Sequence, residues 1–148
     1  MKLKINVLVL FCFSFVQMHA VTPYYQQFDK KAFYKAIESE NAGLIEEMFK
    51  PVKALPLPDK DAYEGTLLMR KAGLIKDKKQ QLALFKEGKI KLENAIKQST
   101  KNCEYRLLRL MIQENAPAVL GYNKQIKEDS EFIVAKFNSL SPQLQIIA

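Results

Sequence analysis

Asn102, Arg106, Arg109 and Gln113 recur at i, i+4, i+7 and i+11, a spacing that sets all four on one narrow stripe of a helix. The stripe holds two of the three arginines in the chain, against twenty lysines. A guanidinium is a planar fork that meets a carboxylate or phosphate through two bonds at once, which an ammonium cannot do. Around it, Leu107, Leu108, Leu110, Met111 and Ile112 make the segment apolar over most of its circumference and predict a buried helix. Such a stripe is an internal ion-pair seam, the floor of an anion-binding groove, or a solvated face. Glu64, Asp129 and Glu131 are available partners for a seam. Tyr63 and Tyr105, with Tyr122, fall near helix starts and turns of the same region. They are either partner anchors lining the groove or packed rings with the hydroxyl tied to a neighbour.

Catalytic chemistry has little to work with. His19 is the one histidine, and Cys12 and Cys103 are the cysteines. If residues 1–20 are removed, no histidine and a single cysteine remain. Ser-His-Asp and Cys-His catalysis, His-ligated metals, CxxC redox chemistry and an internal disulfide are then excluded. Glu38/Glu40, Glu46/Glu47 and Glu128/Asp129/Glu131 are carboxylate clusters, but each lies beside lysines on a predicted outer face, and no pair is singled out for acid–base work. Cys103, at a helix start, reads as a buried small apolar residue rather than a nucleophile. With no Gly-rich phosphate loop and no familiar metal-ligand spacing, neither a cofactor nor a metal is expected.

The first twenty residues have the parts of a secretory signal: Lys2 and Lys4, an apolar run from Ile5 to Val16, then Gln17-Met18-His19 before the small Ala20. A spanning helix needs roughly 20 apolar residues, so removal is expected, leaving residues 21–148 as a single soluble domain without a transmembrane segment. Cys12 lies inside the apolar run and is not a lipidation site. Without Lys2 and Lys4 the balance is 21 Lys+Arg against 16 Asp+Glu, a net charge of +5. An exported chain rarely meets nucleic acid, so this charge serves solubility or an acidic partner. The destination is the periplasm or the outside of the cell.

Leu, Lys, Glu and Ala supply 56 of residues 21–148, whereas Val and Thr supply seven. This predicts an all-α fold. Helices are expected over Phe28 to Ser39, from an Asn41 cap to Pro51, from an Asp59 cap to Ala72 with Gly73 at its end, and over Lys78 to Ser99. Others follow an Asn102 cap (Cys103 to Glu114) and an Asn123 cap (to Asn138), with a short last helix after Ser141-Pro142. Three prolines in residues 51–58 predict an extended connector. Phe85, Gly88, Leu92, Ala95 and Ile96 mark the inner face of the longest helix, and Gly88 predicts a close helix crossing. Glu87/Lys91, Lys89/Glu93 and Glu93/Lys97 can pair on its wet side. About six helices in successive pairs describe stacked antiparallel hairpins.

The segments AYEGTLLMRKAG (62–73), FKEGKIKLENAI (85–96), NCEYRLLRLMIQENAP (102–117) and LGYNKQI (120–126) resemble a group of exported, uncharacterised proteins of Bacteroidetes-type bacteria, which carry no assigned activity. The helix pairs are also similar to tetratricopeptide repeats. Gly88, Leu92 and Ala95 stand at the spacing of that repeat's second helix, while Lys76 stands where its first helix carries a small residue. That likeness implies protein binding on a concave helical face. The reading of the whole is an exported helical interaction module, an adaptor or scaffold that receives an acidic protein or peptide surface on Arg106, Arg109, Gln113, Tyr63 and Tyr105. The alternative is binding or remodelling of an anionic envelope glycan or lipid.

Overall fold

A computed structural model describes residues 28–148. The expected signal at 1–20, with Cys12 and His19, lies outside the described residues, as do Tyr24 and Tyr25. The helices are α1 (Lys30–Glu38), α2 (Ala42–Lys53), α3 (Asp59–Leu74), α4 (Lys78–Gln98), α5 (Cys103–Asn115), α6 (Ile126–Lys136) and α7 (Pro142–Gln145). Short 3-10 turns occupy Ala118–Leu120 and Phe137–Ser139. Among the described residues there is no strand, and the fold is all-α. No described helix is long and apolar enough to cross a membrane.

Short polar side chains start five of the helices by taking up backbone N–H groups that the first turn leaves unbonded. Asp29 accepts from Ala32, Asn41 from Gly43 and Leu44, Asp77 from Gln80, Asn102 from Tyr105 and Ser141 from Leu144. Two expected caps do other things. Asp59 is the first residue inside α3, behind Pro58, and its carboxylate is taken by the Tyr105 hydroxyl. Asn123 precedes α6 by a turn, and Gln125 opens that helix without a side-chain bond. Gly73 lies inside α3, which ends one residue later.

The expected extended connector over 51–58 is corrected. Pro51 is a residue of α2, which runs on to Lys53. A proline close to a helix C-terminus forfeits one backbone bond, and the next residue compensates: Val52 is fully buried, and Leu55 packs against the core. Only the turn from Ala54 to Pro58 is left as connector.

α3 is the central element, packed against α1, α2, α4 and α5, while α5 also holds α6. The longest helix, α4, buries Phe85, Gly88, Leu92, Ala95 and Ile96, the stripe that the spacing picks out. It meets α3 glycine to glycine. A Cβ on Gly65 would lie 2.6 Å from the Gly88 carbonyl oxygen and 2.8 Å from the Leu92 nitrogen, and one on Gly88 would lie 2.5 Å from the Gly65 oxygen. The close crossing expected at Gly88 is present, with Gly65 as its other half. Backbone cannot step aside as a flexible side chain can, so Gly65→Ala costs about 1–3 kcal/mol despite its better helix propensity. Gly73→Ala, where a Cβ meets nothing within 4 Å, stabilises by a few tenths to about 1 kcal/mol. Urea midpoints of the two variants against the parent check both signs.

Candidate functional site

α5 carries the predicted stripe into the interior. Arg109 grips Asp129 of α6 bidentately, Nε to Oδ2 at 2.6 Å and Nη2 to Oδ1 at 2.7 Å, and its Nη1 reaches Glu93 of α4 at 2.9 Å. Arg106 shares Asp129 (Nη1 to Oδ1, 3.0 Å), reaches Glu128 at 2.8 Å and stacks over the Phe132 ring. Tyr122 closes the cluster by donating its hydroxyl to Glu93 at 2.7 Å. Asp129 is 0% exposed and Arg109 5%. Burial opposes the Arg109 charge, but the bonds to Asp129 and Glu93 overcome it and hold its pKa above the ordinary arginine value. Gln113 is also buried, donating from Nε2 to Gln125 at 2.9 Å, while its Oε1 has no partner.

Two guanidinium charges thus meet three carboxylates, of Glu93, Glu128 and Asp129, and no cationic surplus is left for an anion from outside. Arg106, Arg109 and Gln113 form the seam and not the groove floor. Of the carboxylates expected to serve that seam, Asp129 does. Glu64 instead faces Lys91, 3.1 Å away across the α3–α4 contact, because the turn of α3 points it at α4. Glu131 is exposed and meets Lys127 of its own helix at 3.9 Å. Glu93 and Lys91, expected on the wet side of α4, are spent on other helices: Glu93 on Arg109 and Tyr122, Lys91 on Glu64 and Asp61.

Tyr63 and Tyr105 are buried too. Glu104, in the first turn of α5, accepts the hydroxyls of Tyr63 (2.7 Å) and Tyr34 (3.2 Å) and pairs with Lys30 at 2.6 Å, tying α1 and α3 to α5. Tyr105 donates to Asp59. Neither ring is presented to a partner. Cys103 is buried beside them, and burial pushes its thiol pKa up against the opposing charges of Arg106 and Lys136.

The arginine absent from the predicted site is the one that faces open space. Arg70, near the end of α3, borders a cavity of about 500 Å³ between the end of α3, the start of α4, the end of α5 and the 3-10 turn after it. Met69, Phe85 and Ile112 of the core reach this cavity, and Leu82 and Val119 flank it with 42% and 91% of their surface exposed. Lys78 adds a second cation, and none of the lining residues is acidic. Among the described residues Arg70 makes no ion pair, and its buried Nε has no hydrogen-bond partner. Glu38 and Glu114 line a neighbouring hollow of about 300 Å³ together with Arg70, without pairing to it. The signal for this residue was in the composition: a rare arginine inside an apolar run, in a chain that otherwise uses lysine. Among the described residues no group of three or more His, Cys, Asp or Glu could hold a metal ion.

No protein-family model, curated protein or solved structure matches the chain.

The first prediction concerns the seam. Asp129→Ala strands Arg109 in the interior and destabilises by about 3–5 kcal/mol. Arg109→Met combined with Asp129→Leu costs clearly less than the sum of the two single changes, since neither buried charge is then left alone. Chemical denaturation of the four proteins in the cycle measures this. The second concerns alkaline pH. Burial, and then the bonds to Glu104, Asp59 and Glu93, push the hydroxyls of Tyr34, Tyr63, Tyr105 and Tyr122 above their ordinary value of 10.0. In the unfolded chain these groups lose protons near that value while the folded protein keeps them, so stability is intact below it and falls as pH rises through it. The melting temperature will therefore drop between about pH 9 and about pH 11, less steeply in Tyr122→Phe.

Proposed function

We propose that the protein is an exported helical binding module, an adaptor in the cell envelope that recognises an acidic protein segment and does not convert it. Export rests on the charged start, apolar run and small residue of positions 1–20. Recognition rests on one observation: a cavity of about 500 Å³ is mostly apolar inside, bordered by Arg70 and Lys78, free of acidic residues, and flanked by the exposed Leu82 and Val119. Cationic edges around an apolar interior are what an acidic, partly apolar surface requires of its receptor. A concave helical face is also what the tetratricopeptide likeness implies.

The alternative, an anionic envelope lipid or glycan, is supported by a different place. Lys30, Lys31 and Lys35 of α1 line a hollow of about 420 Å³ against α7, where Ile146 is exposed. Ionic strength separates the two readings, because attraction to a field of lysines is screened over roughly 8 Å at physiological salt, whereas a shaped groove keeps its apolar contacts.

Crosslinking in the producing cells, followed by recovery of the chain from the envelope or the medium, tests the proposal. One discrete protein, retained at moderate salt, absent with Val119→Asp and joined to a chain whose mature mass starts near Val21, is the expected result. Lipid or glycan recovered in place of protein, and lost as salt is raised, would overturn it in favour of the alternative.

A further inference from the structure

We infer that Arg70 is the specificity-determining residue of this groove, and that it reads an Asp or Glu side chain carried on an apolar stretch of a partner polypeptide. The inference rests on the groove being the binding surface proposed above, and it names what is recognised there. A guanidinium bordering Met69, Ile112 and the other apolar walls, with a buried and unpartnered Nε, has lost hydration at that nitrogen without gaining a counter-charge. A carboxylate meeting its terminal nitrogens supplies that charge in the geometry arginine favours. The protein itself does not supply it. No acidic residue lines the cavity, neither Glu38 nor Glu114 pairs with Arg70 from the neighbouring hollow, and residues 1–27 contain no Asp or Glu.

The carrier is a polypeptide rather than a small amphiphile because of the rim. A volume of about 500 Å³ lies within the roughly 300–1,000 Å³ common to small-ligand sites, so a single-chain fatty acid would fit inside. Such a molecule would leave Val119, 91% exposed, and Leu82 facing water. A peptide laid across the opening covers both while one apolar side chain enters the cavity, and contiguous apolar surface of this kind marks protein contact sites.

Selection of random dodecapeptides displayed on phage against the purified full chain tests this. The expected winners share an acidic residue beside large apolar ones. Arg70→Gln weakens the best synthetic peptide by about tenfold or more, as does amidation of the peptide's acid, and the two changes together cost little beyond either one. Val119→Asp, a substitution at a nearly fully exposed position that leaves the core intact, weakens the same peptide by like-charge repulsion even if Arg70→Gln folds poorly. Winners without an acid, or winners indifferent to both variants, overturn the inference while leaving an adaptor with a different site. Enrichment of no peptide, with dodecanoate bound instead and released by Arg70→Gln, overturns the polypeptide assignment and the adaptor reading together.

Discussion

Asp129 is a charged carboxylate with no exposed surface, and the placing of three helices depends on satisfying it. Both of its oxygens are taken by Arg109, and one is shared with Arg106. Arg109 then spends its remaining nitrogen on Glu93, whose other oxygen holds Tyr122. The chain of bonds therefore runs from α6 through α5 to α4 and back to the segment that enters α6. A shift of any member by one helical position would bury a charge without its partner, at a cost of several kcal/mol. Apolar side chains of similar volume would tolerate such a shift far better. The cluster thus contributes register more than net stability, since desolvating its charges offsets much of their attraction.

A second hub ties further helices to α5. Glu104 gathers Lys30, Tyr34 and Tyr63, fixing α1 and α3 on the first turn of α5. The Gly65–Gly88 crossing brings α3 and α4 into backbone contact and puts Met69 against Gly88. That residue borders the groove, so the crossing helps to define the cavity wall. The cavity is consequently walled by helices held by both hubs, and as the proposed binding surface it would lose less entropy on binding than one that must first be ordered.

The sequence made the fold class legible because helix formers dominate and caps stand where helices begin. Asn41, Asn102 and Ser141 could be read directly, since capping is a local bond between neighbours in the chain. Pro51 departs from its sequence expectation for the opposite reason: the backbone bond it forfeits is local, but the burial of Val52 that offsets it is tertiary. The same division holds within the site. Spacing placed Arg106, Arg109 and Gln113 on one face, and Asp129 was named among their partners. What spacing could not reveal is which charges on other helices share that face. The i,i+4 lysines predict the wet side for Glu93, yet Arg109 and Tyr122, far along the chain, claim it. Glu64 and Glu131 have the right charge but point at Lys91 and at solvent.

Arginine count is informative here because the chain is so sparing with it. A lysine on the surface keeps its hydration and needs no partner, so twenty of them say little about any one site. Two of the three arginines, by contrast, stand where a planar fork has something to hold. Arg106 and Arg109 hold carboxylates already built into the protein, and the carboxylates they occupy are thereby withdrawn from acid–base work. Arg70 pairs with no carboxylate among the described residues and stands at the mouth of an apolar cavity that no internal acid lines.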